Sequence, residues 1–169
     1  MKKTFLLTLV LAFAVSVSSY AQPRAIGLNV GYGIDLSYQH TIGEKNMIDM
    51  TLSLPGFIGI SAQATYDWIN PFSTQIPWDY KGKWDWEMGA GAGVGYVWHW
   101  RGLLAGAAGH VGVSYDFWFP LQLSVDWRPL FGIYTYSNDD YYVDSDKHSG
   151  VGFWAQGLAA VTVGVRYRF

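Results

Sequence analysis

The sequence predicts an all-β fold, a transmembrane antiparallel up-and-down β-barrel of about eight strands. Three observations predict it. Apolar and polar residues alternate with period two along most of the chain. Aromatic residues make up 18% of the chain, with nine Trp and twelve Tyr, against 14% charged residues. That balance suits a surface that meets lipid through aromatic girdles better than one that meets water. Finally, no segment after Ala21 carries the long apolar run of a membrane-spanning helix. A chain that crosses lipid without helices does so as a closed barrel, because nothing else satisfies the backbone polar groups there.

The chain opens Met1-Lys2-Lys3 and continues with an apolar run from Phe5 to Val15, interrupted by Thr8. The run is too short to span a bilayer comfortably. Small residues at Ser19 and Ala21 place a signal-peptidase site before Gln22. The expected organisation is a cleaved signal peptide over 1–21 and one barrel domain over 22–169. Without Lys2 and Lys3, nine of the eleven basic residues remain against thirteen acidic ones, a formal charge of −4. A nucleic-acid partner wants a basic footprint and is not expected. The absence of Cys excludes a disulfide scaffold, a thiolate metal site and a lipoprotein anchor.

Eight strands are expected, at 25–40, 46–54, 58–69, 84–98, 103–117, 120–128, 130–137 and 151–169. In the first, Ile26, Leu28, Val30, Tyr32, Ile34, Leu36 and Tyr38 alternate with Gly27, Asn29, Gly31, Gly33, Asp35, Ser37 and Gln39. In the second, Ile48, Met50, Leu52 and Leu54 alternate with Asp49, Thr51 and Ser53. In the third, Ile58 to Trp68 alternate with Gly59, Ser61, Gln63, Thr65 and Asp67. The fourth places Trp86, Met88, Ala90, Ala92, Val94 and Tyr96 opposite Asp85, Glu87 and a run of alternate glycines. From Trp86 to Tyr96 is roughly 33 Å of strand, which projects to roughly 25 Å when tilted, the height of an apolar band with an aromatic at each edge. Val111, Val113 and Tyr115 alternate with His110, Gly112, Ser114 and Asp116; Leu123 and Val125 with Gln122, Ser124 and Asp126; Val163, Val165 and Tyr167 with Thr162, Arg166 and Arg168. A soluble barrel also alternates, with its apolar face inward. The scarcity of Lys and Glu on the polar face and the aromatic strand ends favour the inverted arrangement.

Both termini are expected in the periplasm. The turns at Pro55-Gly56, at 99–102 and at Pro129 are then periplasmic, and the long segments 70–83 and 138–150 extracellular. An alternative splits the first strand near Tyr32 and joins the sixth to the seventh. It also gives eight strands but moves 70–83 inside. The unbroken alternation from Ile26 to Tyr38 favours a single first strand.

The closing run Val161-Thr-Val-Gly-Val-Arg-Tyr-Arg-Phe169 resembles the C-terminal assembly signal of outer-membrane barrels, with Val163, Val165, Tyr167 and the terminal Phe169 as its alternating residues. The pattern as a whole is similar to small outer-membrane barrels of the Bacteroidetes type, with an OmpA/OmpX-like architecture. The pieces that carry the likeness are Leu36-Ser37-Tyr38-Gln39, Tyr66-Asp67-Trp68, the glycine-rich stretch from Gly89 to Tyr96, the stretch from Pro120 to Pro129, and Arg166-Tyr167-Arg168-Phe169. The resemblance implies a multi-pass protein of the cell outer membrane. It implies contact with outer-membrane lipid and lipopolysaccharide, and recognition by the barrel-assembly machinery during biogenesis. It implies little about activity, because a fold alone does not give a function.

The interior face is expected to carry the acids Asp35, Asp49, Asp67, Asp85, Glu87, Asp116 and Asp126 with His110, Arg128, Arg166 and Arg168. An eight-stranded barrel is just wide enough for side chains to fill it, and buried charges must pair. A polar network that plugs the lumen is therefore expected, in a barrel with a structural or surface-interaction role. A narrow cation-selective channel is the alternative, since rings of acids favour cations. A lipid-modifying enzyme is the third reading. It needs a nucleophile, a His and an acid in contact, whereas His110 and Ser114 lie roughly 13 Å apart along one strand. His40, His99 and His148 show no such company either. No catalytic residue, cofactor or metal ligand set is legible. The acids Asp139, Asp140, Asp144 and Asp146 lack EF-hand spacing and read as a solvated loop. Trp78, Tyr80, Trp84 and Trp86 with Lys81 and Lys83 could touch lipopolysaccharide or glycans but read first as an interfacial girdle plus a solvated turn.

Overall fold

A computed structural model describes residues 24–72, 81–98, 101–138, 148–155 and 160–169. The stretch expected to be a signal peptide, with its expected cleavage site, lies outside them, as do most of the two long segments. The strands are β1 (Arg24–Gly31), β2 (Gly33–Ile42), β3 (Asn46–Pro55), β4 (Gly59–Pro71), β5 (Gly82–Val97), β6 (Gly102–Phe117), β7 (Leu121–Trp127), β8 (Leu130–Asn138), β9 (His148–Ala155) and β10 (Val161–Arg168). Every pairing is antiparallel. β1 to β7 pair in sequence, β10 pairs with both β7 and β1, and the ring closes through β10 as an eight-stranded barrel.

Two expectations need correction. The first strand is two strands. Gly31-Tyr32-Gly33 reverses the chain, with Val30 paired to Ile34. Such a tight turn joins an even residue to an even residue, so the alternation runs through the hairpin without changing phase. A Cβ on Gly31 or Gly33 would collide with backbone oxygens of β10 and β3, which is why the apex is flanked by glycine.

Conversely, the sixth and seventh strands are one. Trp127 faces Val111 and Leu130 faces Ala108 on the same partner, so β8 continues β7 in unbroken register. Pro129 is not a turn. It lacks an N–H, which interrupts the ladder, yet its carbonyl still accepts a hydrogen bond from the Gly109 N–H at 2.9 Å.

The split first strand turns β3 to β6 end for end. Pro55-Gly56, the end of β5 and the start of β6 lie opposite the termini, and so do Asn138 and His148, where β8 ends and β9 begins, as first expected. β4 ends and β5 begins at the terminus end. The long β4–β5 connection therefore does not sit on the side first expected.

Burial is inverted relative to a water-soluble fold. Asn29, Asp49, Asp67, His110, Asp126 and Arg166 are essentially fully buried, while Leu28, Val94, Leu103, Val113 and Val163 are exposed. Exposed aromatics gather at both rims. Tyr66, Trp68, Trp86, Trp118, Tyr167 and Phe169 stand at the terminus end, and Tyr32, Phe57, Tyr96 and Trp98 at the other. Val163, Val165, Tyr167 and Phe169 all face outward, with Tyr167 stacked on Phe169 at 6.2 Å.

Inward glycines let the narrow wall curve around its contents. At Gly89 an added Cβ would overlap the Asp67 carboxylate. Gly89→Ala should therefore push Asp67 aside and cost about 1–3 kcal/mol, the usual penalty of overpacking. Urea unfolding of the refolded barrel checks this, and an unchanged midpoint would show that the wall yields there.

Candidate functional site

The lumen is layered along its axis. At the end opposite the termini, Leu104, Ala108 and Leu130 form a small apolar cluster, with Tyr134 and Trp154 packed on it. The middle holds charged side chains from five strands and from the residue after β7. At the terminus end a cavity of about 320 Å³ opens, lined among others by Lys83, Asp85, Glu87, Asp116, Gln122 and Arg168.

The middle layer is tied together across the barrel. Arg128 donates to both oxygens of Asp49, at 2.6 and 3.0 Å. Gln39 donates to Asp49 as well, at 2.9 Å. Arg166 donates to Asp126 Oδ2 at 2.7 Å, to Ser124 at 2.7 Å, to Ser37 at 3.0 Å, to Gln122 at 3.1 Å and to Asn29 at 3.3 Å. Asp126 also accepts from Ser124 at 2.7 Å and lies 3.6 Å from Arg128.

His110 stands between two acids, with Nδ1 2.6 Å from Asp67 and Nε2 3.1 Å from Asp126. A histidine donates through both ring nitrogens only as the imidazolium. In that form Asp49, Asp67 and Asp126 meet Arg128, Arg166 and His110, three charges against three. Such pairing offsets the cost of burying the charges.

The remaining interior acids lie outside this balanced set. Glu87 accepts from the Ser114 hydroxyl at 2.9 Å, and its Oε2 accepts no hydrogen bond from the described residues. Asp85 faces Lys83 at 3.0 Å, and Asp116 faces Arg168 at 3.0 Å and Gln122 at 2.9 Å at the half-open mouth. Asp35 is buried near the opposite rim, beside a small cleft that also touches Ser53 and Arg128.

All eleven interior residues singled out in the sequence therefore face the lumen, in three groups: the central cluster, the mouth and Asp35. The alternation put Asn29, Ser37, Gln39, Ser114, Gln122 and Ser124 on the polar face, but the expected network left out these neutral members. Their signal was present, since each shares the inward parity of a neighbouring acid or base.

The reading of His110 also needs correction. It has acids in contact on two other strands: Asp67, across Gly89 on the same rung, and Asp126, on the paired strand β7. Its neighbour Ser114 turns to Glu87 instead. Of the other histidines, His40 lies at the end of β2 with its ring 6.5 Å from Tyr38. His148 opens β9 rather than lying in a loop, and His99 is outside the described residues. The acidic run 139–146 and the pair Trp78 and Tyr80 are also outside them.

No protein-family model matches the chain, and neither a curated protein nor a solved structure matches it.

Proposed function

We propose that the chain is an outer-membrane β-barrel with a filled lumen and a structural or surface-interaction role, exported through a cleaved signal peptide. The observation that carries this reading is the inversion of burial: a charge-paired interior inside an apolar wall edged by aromatics at both rims. Lipid covers such a wall without cost, whereas water would not. The outward Val163, Val165, Tyr167 and Phe169 are where the assembly machinery would read the last strand.

The surface role rests on the β8–β9 hairpin. Leu104 pairs with Tyr134, and beyond it the hairpin continues through Tyr136 to Asn138. It therefore stands roughly 7 Å past the start of β6. In a barrel with periplasmic termini this hairpin points away from the cell, beside lipopolysaccharide.

The channel reading draws on the acids of the mouth, but the path they begin ends at the charged cluster and then at the Leu104–Leu130 layer. The enzyme reading has little support, because neither ring nitrogen of His110 faces a hydroxyl. In a planar bilayer, the folded barrel is expected to give no reproducible conductance steps. Cation-selective steps would put the channel in place of the filled lumen.

A further inference from the structure

We propose that the floor of the terminus-end cavity binds one divalent transition-metal ion of the zinc type, held by Glu87, His110 and Asp126. One ligand atom from each of these residues lies within 4.8 Å of the other two, and all three residues are buried. His110 Nε2 and Asp126 Oδ1 are 3.1 Å apart. That is close to the edge of a tetrahedron whose bonds to the ion are about 2.0 Å.

Each ligand is held from behind. Asp67 fixes the far nitrogen of His110 at 2.6 Å, the carboxylate–histidine arrangement that orients imidazole toward a metal. Arg166 and Ser124 hold Asp126 by Oδ2, which leaves Oδ1 toward His110. Ser114 holds Glu87 by Oε1, while the buried Oε2 accepts no hydrogen bond from the described residues.

Space and access fit as well. Gly112 lies directly across from Glu87 and from Asp126 on the flanking strands. A Cβ there would stand 2.6 Å from Asp126 Oδ1 and 3.1 Å from His110 Nε2. The missing side chain thus leaves room beside both ligand atoms. Of the three ligands, Glu87 lines the terminus-end cavity, so the site adjoins that cavity at Glu87.

Charge points the same way. The imidazolium balances the central cluster but leaves Glu87 without a counter-charge. An ion that replaces the Nε2 proton makes the whole set neutral. The four carboxylates Asp49, Asp67, Glu87 and Asp126 then face Arg128, Arg166 and a divalent cation.

A set of one imidazole and two carboxylates suits zinc and its neighbours, whereas calcium and magnesium prefer oxygen alone. A second trio, Asp49, Asp67 and His110, has the same spacing. It is less suited, because Arg128 takes both oxygens of Asp49 and Asp67 already occupies Nδ1.

The test is equilibrium dialysis of the refolded barrel against Zn²⁺, with Co²⁺ absorption as a report on coordination. Folding is checked for each variant by the mobility of unheated and heated samples. One ion per barrel is expected, with intense low-coordinate Co²⁺ bands. Glu87→Gln keeps a group for Ser114 to bond and should weaken binding by about 100-fold or more. Asp67→Asn, a positioning variant, should weaken it by about 10- to 100-fold. Asp116→Asn, at the mouth but outside the cluster, should bind as the parent does. The proposal fails if the folded barrel takes up no stoichiometric ion, or if Glu87→Gln binds as the parent does. It also fails if Asp116→Asn loses the ion equally, which would mark a diffuse acidic mouth. Should His110 variants not fold, Glu87→Gln carries the test.

Discussion

Asp126→Ala is expected to destabilise the refolded barrel more than any other single change to the lumen, by about 3–5 kcal/mol. The reason is the number of charges that depend on it. Asp126 is the counter-ion of Arg166 at 2.7 Å, faces His110 at 3.1 Å and lies 3.6 Å from Arg128. Without it Arg166 keeps only neutral acceptors, in a site with no exposure to solvent. An uncompensated buried charge is what makes the loss of one partner so costly.

Asp126→Asn preserves shape and should fall between Ala and the parent. Asp116→Ala removes a pair at the mouth, where Arg168 is a third exposed, and should cost less than about 1 kcal/mol. Urea unfolding followed by tryptophan fluorescence ranks the three variants. If Asp126→Ala lies within about 1 kcal/mol of the parent, the central cluster does not hold the barrel together.

The second large effect is on the outer wall. Leu28→Arg places a charge midway along β1, on a rung shared with Leu36 and Val165. Leu28 is 54% exposed, so the two possible surroundings give different results. In a bilayer the arginine should cost about 2–4 kcal/mol, and Tyr167→Arg, at the rim, only about 0–1 kcal/mol. On a surface that faced water, both changes would stay within about 0.5 kcal/mol. Unfolding measured in phospholipid vesicles separates the cases. Equal, small effects at Leu28 and Tyr167 would rule against a lipid-facing wall.

The places where the sequence misled are informative because each error has a local cause. Tyr32 is the apex of a hairpin, but a turn that pairs Val30 with Ile34 keeps the even residues outward on both strands. Period-two reading is blind to such a reversal. The two glycines around Tyr32 were the available signal. At Pro129 the error ran the other way. Proline marks a missing N–H, and a missing N–H occurs inside a strand as well as in a turn. Only the constant register on β6 tells the two apart. The reversal at Tyr32 turned β4 and β5 end for end, and the continuous strand through Pro129 kept both termini at one end.

What the sequence by itself determined is which way each side chain points. Alternation is a local property with a fixed period, so spacing put Asp49, Asp67, Glu87, Asp126 and Arg166 on one face and Leu28, Val94 and Val163 on the other, and the aromatic strand ends with the scarcity of Lys and Glu set the polar face inside. The tertiary structure decided which of the inward residues meet. Arg128 and Asp49 are 79 positions apart, and Arg166 and Asn29 are 137 apart. His110 lies 43 positions from Asp67 and 16 from Asp126. Those contacts depend on strand register and on the closure of the sheet through β10, which are long-range quantities that no local period encodes.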